Sequence, residues 1–184
     1  ADEERVPAAP PAPAPAPAET VPGPEVETGR RMLFGDLHQH SMESDGLGTV
    51  SDAYRRARDL YRHDFAALTD HDGLAGGCLG PLTWRRQVEL ADAFYEPGKF
   101  VTLRGFEFTG SRLPGRGHKC VYFDDAVPTC LPGRDPDRLD EILARYPSLA
   151  VPHHTAWTGA DLEHHDPALQ PVWEICSVHG SYES

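Results

Sequence analysis

Short apolar runs and amphipathic stretches alternate along the chain from residue 30 onward, and this alternation restricts the fold more than any other feature. Residues 49–63 carry apolar side chains at helical spacing behind a Thr49–Asp52 capping box, which predicts a helix. The same criteria predict helices at 81–96 and 135–146, and strands at 31–36, 64–70, 100–108, 119–124, 148–154 and 171–177. A strand-helix-strand order favours parallel strands, so we expect an α/β fold, either barrel-like or doubly wound.

The N-terminal part of the chain cannot contribute to such a core. Residues 6–29 are a Pro/Ala tract with scattered acids, which predicts a disordered linker over 1–29 and a folded domain over 30–184. The chain begins with Ala1 rather than Met, and with the Pro/Ala spacer this favours an exported protein, periplasmic or extracellular, over a cytoplasmic one. No apolar run of membrane-spanning length is present.

Charge and cysteine spacing argue against two functional classes. The net charge of −12 argues against binding to nucleic-acid backbones, because such proteins neutralise phosphates with clustered Lys and Arg. The four cysteines include no CxxC pair, which argues against a zinc ribbon, and their spacing does not show whether any of them form a disulfide.

Residue types that bind metals occur at the ends of five predicted strands. His38 and His40 are two residues apart, so in a strand their side chains lie on the same face, within reach of one ion. The further candidates are His71, Glu107, His118, His153 and His154. Because the mouth of a barrel collects residues from several strand ends, we expect these side chains to converge. Imidazole and carboxylate ligands favour Zn, Mn or Fe, and Glu107 is the natural bridge between two ions.

The motifs HQH (38–40), SDG (44–46), TDH (69–71), GFE (105–107), GH (117–118) and HH (153–154) resemble those of the polymerase and histidinol phosphatase (PHP) superfamily. Segments such as GDLHQHS and EICSVHGSYES are similar to sequences of its DUF3604 branch. The resemblance runs from about Arg31 to the C-terminus. It implies a distorted (β/α)7 barrel with two or three divalent metal ions. It also implies hydrolysis of a phosphate ester in a small-molecule substrate.

The resemblance also implies a ligand set. His38 and His40 would bind the first ion, Glu107 would bridge to the second, and His118 with His153 would complete the second. Asp45 and His71 would bind a third ion, and His154 stays an alternative to His153. The family closes its site with a late Asp-x-His element, which this sequence lacks after residue 154. We therefore expect a barrel that is incomplete at its C-terminus, with the first and third ions each short of one ligand.

Roles beyond metal binding are assigned to a few more residues. Glu107 and His71 belong to the expected catalytic centre, and His179 either protonates a leaving group or supports a ligand, as does Glu174. If His118 lies at the metals, three nearby basic residues are candidates to hold a phosphate or carboxylate: Arg112, Arg116 and Lys119. The competing interpretation of that basic segment is a solvated Gly-rich loop.

Two other functions compete with phosphoester hydrolysis. An amidohydrolase also opens with HxH on a barrel strand, but that class would usually bridge its ions with a carboxylated lysine, where this sequence offers Glu107. A non-catalytic metal-binding module is the third possibility, and the absence of the closing Asp-x-His element supports it.

Overall fold

The computed structural model describes residues 25–26, 29–73, 78–110, 117–163, 165–177 and 179–181. Two short strands, β1 (Glu25–Val26) and β2 (Arg30–Arg31), pair with each other ahead of the main domain. The domain is built on a five-stranded sheet with the order β3-β4-β5-β6-β7. These strands are β3 (Gly35–Gln39), β4 (Phe65–Leu68), β5 (Val101–Thr109), β6 (His118–Phe123) and β7 (Ser148–His153).

The sheet is mixed rather than parallel throughout. Strands β3, β4 and β5 are parallel to one another, whereas β6 is antiparallel to both β5 and β7. The expectation of parallel strands is therefore wrong at β6, because residues 110–117 are too few for the crossover that a parallel connection needs. As a result, the first residue of β6 lies at the same edge of the sheet as the last residues of β5 and β7.

Helices cover one face of the sheet, and their ends are capped as the sequence predicts. Helix α1 (Val50–Arg55) continues into a π-helical turn, Arg56–Leu60, and its Thr49–Asp52 capping box is confirmed. Helix α2 (Pro81–Phe94) begins with proline. Proline is tolerated there because the backbone N–H groups of a first helical turn have no partner within the helix. Asp135 accepts hydrogen bonds from two backbone N–H groups at the start of α3 (Pro136–Arg145), and α4 (Thr155–Thr158) follows β7 directly.

Side chains alternate across the sheet between a helix-covered core and a concave face. The core contains Trp84, Phe106, Phe108, Val121 and Leu139, all almost fully buried. The indole of Trp84 also donates a 2.7 Å hydrogen bond to the Pro128 carbonyl. The opposite, concave face carries a smaller group of apolar residues, and the polar cluster described below lies next to it. The apolar residues of this face are Leu37, Ala67, Leu103, Cys120, Tyr122, Leu149 and Val151.

The sheet curls strongly enough to bring its two edges together. His38 on β3 and His153 on β7 belong to the first and last strands of the sheet, yet their ring centroids are 4.3 Å apart. The described part of the chain therefore forms a half-barrel, in agreement with the α/β class expected from the sequence. The remaining strands of the expected (β/α)7 barrel are not among the described elements.

Two predicted strands differ from the structure. The apolar residues Met32, Leu33 and Phe34 precede β3 and are exposed, so the strand starts later than the apolar run indicates. Residues 171–177 were expected to form one strand, but only Cys176–Ser177 do so, as β8, which pairs with β9 (Gly180–Ser181). Residues 171–175 instead run beside β7, with Glu174 N donating to Pro152 O.

Some expectations fall partly or wholly outside the described residues. Residues 1–24 and 27–28 of the predicted linker lie outside them, while Glu25–Val26 form β1. All four cysteines are described, and none of them forms a disulfide. Among the described helices, none is long and apolar enough to cross a membrane.

Candidate metal centre

The carboxylate of Glu107 lies at the centre of the polar cluster. Glu107 is on β5, where alternation directs it to the concave face between Phe106 and Phe108, and it is 1 % exposed. Its Oε1 atom is 2.5 Å from Nδ1 of His118 and 3.0 Å from Nε2 of His153. The first oxygen therefore faces one imidazole from β6 and one from β7.

The second oxygen of Glu107 faces three further imidazoles. Oε2 is 3.1 Å from Nε2 of His40, 3.2 Å from Nε2 of His38 and 3.5 Å from Nδ1 of His71. Two histidines thus contact one oxygen and three contact the other. A single carboxylate whose oxygens face separate groups of imidazoles has the arrangement of a bridge between metal ions.

Strand geometry explains why these residues meet. His38 lies within β3 and His40 directly after it, and their rings are 5.2 Å apart on the same side of the strand. His71 follows β4 and pairs with Glu107 in an isolated parallel bridge. His118 begins β6, and because this strand runs in the reverse direction, its start reaches the edge at which the other strands end.

The SDG motif forms a loop that Asp70 holds in place. Asp70 is fully buried and accepts hydrogen bonds from the Ser41 N–H, the Ser41 hydroxyl and the Ser44 hydroxyl, at 2.6–2.7 Å. Gly46 packs so closely on the His40 carbonyl that a Cβ atom would collide with it. The loop presents Asp45, whose Oδ1 lies 3.5 Å from Nε2 of His71 and 3.5 Å from Nδ1 of His40.

Four of the clustered histidines contact a polar group other than Glu107 through their Nδ1 atoms. Nδ1 of His38 is 3.0 Å from Oε2 of Glu174, and Nδ1 of His71 is 2.8 Å from the Thr109 hydroxyl. Nδ1 of His153 is 3.7 Å from the Cys120 sulfur, and Nδ1 of His154 is 2.9 Å from the Thr158 hydroxyl. Partners of this kind fix the orientation of ligand imidazoles in metal sites.

In the metal-free cluster, several imidazoles share the carboxylate of Glu107, and these contacts together with burial shift the pKa values of the groups. Burial would raise the pKa of Glu107, but hydrogen bonds from four histidines, His118 and His153 first, hold it well below its usual range. Burial would lower the pKa of His153, yet its contacts with Cys120 and Glu107 raise it to about 9. Burial and the neighbouring His153 lower the pKa of His154 to about 3. A divalent cation could replace protons among such ligands and satisfy several imidazoles together.

The donor atoms form three overlapping groups, each compact enough to hold an ion. Within each group, one ligand atom from every residue lies within 4.8 Å of all the others. The groups are His38, Glu107, Cys120 and His153; Glu107, His118, His153 and His154; and His40, His71 and Glu107. Glu107 is the residue common to all three, which fits its expected bridging position.

His153 and His154, both in one of these groups, differ in their position relative to Glu107. His153 is fully buried and its Nε2 faces the carboxylate, whereas His154 lies behind it with their ring centroids 4.2 Å apart. His154 also adopts a positive φ of 32°, a strained value for a residue other than glycine. That backbone turn directs its ring towards His118, at 4.8 Å, and towards Trp157, at 5.0 Å.

The other candidate residues lie away from Glu107. The ring of His179 packs against Trp157, with centroids 4.4 Å apart, at the rim of the cluster. Lys119 is buried, and because it alternates with His118 and Cys120 on β6, its side chain belongs to the opposite face. This placement does not support a direct contact between Lys119 and substrate. Arg112 and Arg116 lie outside the described residues.

Two residues near the histidines were not given their roles from the sequence. The absence of a CxxC pair gives no signal for Cys120, but its position two residues after His118 puts both side chains on one face of a strand. Asp70 anchors the SDG loop through hydrogen bonds from Ser41, a role that the motif pattern alone does not indicate. Asp72 accepts from the backbone N–H groups of Thr109 and Arg134.

A cavity of about 870 Å³ opens beside the cluster. Its lining includes metal-binding residue types such as His38, His71 and Glu107, together with the apolar or aromatic residues Tyr122, Val151, Trp157, Val172 and Trp173. A mainly apolar lining with a few polar groups is the usual character of a small-molecule site.

Two comparisons with known proteins found similarities. The family model described as "Protein of unknown function (DUF3604)" matches residues 75–136, a segment that includes Glu107, His118 and Cys120. The structure is also similar to that of a two-domain protein from Bacteroides vulgatus ATCC 8482 that contains a predicted PHP-like metal-dependent phosphoesterase. The two chains share a fold. Their TM-score is 0.55 at 20 % sequence identity, which supports a relationship at the level of the fold.

The similarity covers most of this chain but less of the other. It spans 82 % of the present chain and 46 % of the Bacteroides protein, so this chain corresponds to about half of that protein's length. No curated protein matches the sequence.

Proposed function

We propose that this domain is a metal-dependent phosphoesterase whose ions are bridged by Glu107. The observation that carries the proposal is the position of that carboxylate, with Oε1 facing His118 and His153 and Oε2 facing His38, His40 and His71. The fold shared with a protein that contains a predicted PHP-like metal-dependent phosphoesterase supports the same reaction class.

The donor set fits divalent ions such as Zn, Mn or Fe. Most donors are imidazole nitrogens and carboxylate oxygens, which suit these metals. His38 and His40 would hold one ion with Glu107, and His118 with His153 would hold a second. Asp45 and His71 would hold a third, and the 3.5 Å distance between Oδ1 of Asp45 and Nε2 of His71 supports this assignment. Ions bound in this way supply an activated water and stabilise charge on a transferring phosphoryl group.

The substrate that we propose is a small phosphorylated molecule. Its phosphate would lie over the cluster, and its remaining part would occupy the cavity against Trp157 and the neighbouring apolar wall. His179 lines the same cavity and packs on Trp157, a position from which it could protonate a leaving group. Arg112 and Arg116 remain candidates for phosphate contacts, on the basis of the sequence alone.

The bridging residue argues against an amidohydrolase-type centre. That class would usually place a carboxylated lysine between its ions, whereas the position surrounded by histidines here is Glu107. Lys119, which is near in sequence, lies on the other face of β6. A non-catalytic metal-binding module would share the ligand geometry, so only an activity measurement separates it from an esterase.

The test combines metal content with hydrolysis. Wild-type protein, a His38→Ala/His40→Ala variant and an Arg85→Ala control would be purified without chelator and analysed by elemental mass spectrometry. Arg85 pairs with Glu89 on the exposed surface of α2, away from the cluster. We expect two or more ions per chain in the wild type and the control, and a clear loss in the double variant.

The same three proteins would then be assayed against phosphomonoesters and phosphodiesters with added Zn or Mn. Hydrolysis by the wild type and the control, but not by the double variant, supports the esterase. Bound metal without hydrolysis of any phosphoester would favour the non-catalytic module, and a protein without bound metal would contradict the proposal.

A further inference from the structure

Cys120 is the one sulfur atom within the candidate metal centre. The residue is 1 % exposed, and on the antiparallel ladder it lies directly opposite Glu107, with Val151 as its neighbour on the other side. Its sulfur belongs to the compact group with His38, Glu107 and His153. The other three cysteines are exposed, so Cys120 is distinct in both burial and surroundings.

The two nitrogens of His153 face different partners. Nε2 is 3.0 Å from Oε1 of Glu107, while Nδ1 is 3.7 Å from Sγ of Cys120, within the range for a hydrogen bond to sulfur. Nitrogens on an imidazole ring point in divergent directions, so an ion bound to Nε2 beside Glu107 is on the far side of the ring from the sulfur. Cys120 therefore contacts the ligand His153 on the side of the ring away from Glu107, and its sulfur also lies within 4.8 Å of a ligand atom of Glu107.

We propose that Cys120 is a positioning residue for the metal centre. Its sulfur accepts a hydrogen bond from Nδ1–H of His153, which leaves the Nε2 lone pair directed at the ion bridged by Glu107. Ligand histidines commonly give their second N–H to a carboxylate or a carbonyl, and here a buried thiol occupies that place. The inference rests on the proposed metal centre, but it does not require that the centre hydrolyse phosphoesters.

Two other roles for Cys120 give different experimental results. A direct metal ligand would be bonded to the ion through sulfur, which changes the electronic spectrum of a cobalt-substituted protein. A residue that only fills space could be replaced by any apolar side chain of similar size. If Cys120 is a positioning residue, the cobalt spectrum should lack a sulfur band and apolar replacements should weaken metal binding, because the sulfur acts only on one nitrogen of His153.

The experiment compares Cys120→Ser and Cys120→Ala with the wild type. Serine keeps a hydrogen-bond partner for Nδ1, whereas alanine removes it. Val121→Ala is the matched control, because Val121 is the next residue on β6, is fully buried and faces the helix-covered core. Zn affinity would be measured by competition with a chromophoric chelator, and the tautomer of His153 by 15N NMR of the Zn-bound protein.

We expect Cys120→Ala to weaken Zn binding by about 10- to 100-fold, the usual effect of losing such a partner. Cys120→Ser should stay within a few-fold of the wild type, and Val121→Ala should lose stability but not Zn affinity. NMR should show the proton of His153 on Nδ1 in the wild type. The cobalt-substituted wild type should lack a sulfur-to-cobalt charge-transfer band.

Three outcomes would overturn the assignment. A charge-transfer band that disappears in Cys120→Ser would make the sulfur a ligand. Equal Zn affinities in Cys120→Ala and Val121→Ala would reduce Cys120 to a packing residue, and a wild-type His153 with its proton on Nε2 would contradict the geometry. If Zn binds as expected but no phosphoester is hydrolysed, the proposed enzyme function fails and the role of Cys120 stands.

Discussion

His118 Nδ1 lies 2.5 Å from Glu107 Oε1 although the strands that carry the two residues run in opposite directions. The contact is possible because β6 begins where β5 ends, with His118 paired across the ladder to Thr109. Gly117 supports this return of the chain: its φ is +66°, and a Cβ there would collide with the Gly159 carbonyl. The antiparallel strand thus delivers its first residue to the site.

Replacing Glu107 with Gln should abolish the metal centre while leaving the fold intact. Gln keeps the size of the side chain but cannot bridge two cations, and losing a ligand should reduce metal affinity by more than about 100-fold. Ion content by mass spectrometry and the far-UV circular dichroism spectrum would be measured together. Normal ion content in the Gln variant would mean that the histidines bind metal without the bridge.

Glu174→Gln should weaken metal binding less severely than the loss of Glu107. The carboxylate accepts from Nδ1 of His38 at 3.0 Å and so orients Nε2 towards the cluster. We expect a reduction in affinity of about 10- to 100-fold. Glu163→Gln, a change at another acidic position, serves as the control, and equal affinities in the two variants would exclude an orienting role for Glu174.

Gly46→Ala should destabilise the loop that carries Asp45. A Cβ at this position would meet the His40 carbonyl, so the loop or β3 must shift, at a cost of about 1–3 kcal/mol. Gly80→Ala is the comparison, because the nearest atom to its Cβ would be the Thr83 hydroxyl at 3.9 Å. The free energy of unfolding of the metal-free proteins, from urea titration, would show whether Gly46 is the more sensitive position.

Metal binding near neutral pH should release protons. In the metal-free cluster, contacts with Cys120 and Glu107 outweigh burial and raise the pKa of His153 to about 9, and the pKa of His38 is raised as well. Both imidazoles therefore carry protons at pH 7, which an ion must displace. Above pH 9, His153 is already neutral while His38, whose pKa is raised more strongly, still carries its proton, so the release should become smaller without disappearing.

Calorimetric titration with Zn in buffers of different ionisation enthalpy, at pH 7 and again near pH 9.5, measures this release. The chelator-treated protein and its His153→Gln variant should differ at pH 7 and converge at the higher pH. A release that does not change with pH would show that His153 is neutral in the metal-free protein.

Local sequence patterns were sufficient to locate most of the cluster. The HxH spacing placed His38 and His40 on one side of a strand, and the capping box fixed the start of α1. His71, Glu107, His118 and His153 were found because each adjoins a predicted strand end, and strand ends converge in a curled sheet. These features depend only on residues near one another in the sequence.

The features that the sequence did not reveal depend on pairing between distant segments. The direction of β6 follows from the 110–117 connection, which is too short for a parallel crossover. The apolar run Met32-Leu33-Phe34 indicates burial, yet the backbone pairing starts only at Gly35. The roles of Asp70 and Cys120 arise from contacts across strands, which local periodicity does not encode.

The closeness of His38 and His153 has a mechanical consequence. These residues lie on the outermost strands of the five-stranded sheet, and no backbone ladder joins those two strands in the described structure. An ion held by side chains from both strands would link the two edges of the curled sheet. Metal binding would then make local opening of β3 and β7 less favourable. Amide hydrogen exchange should therefore slow along both strands, well beyond the ligands themselves.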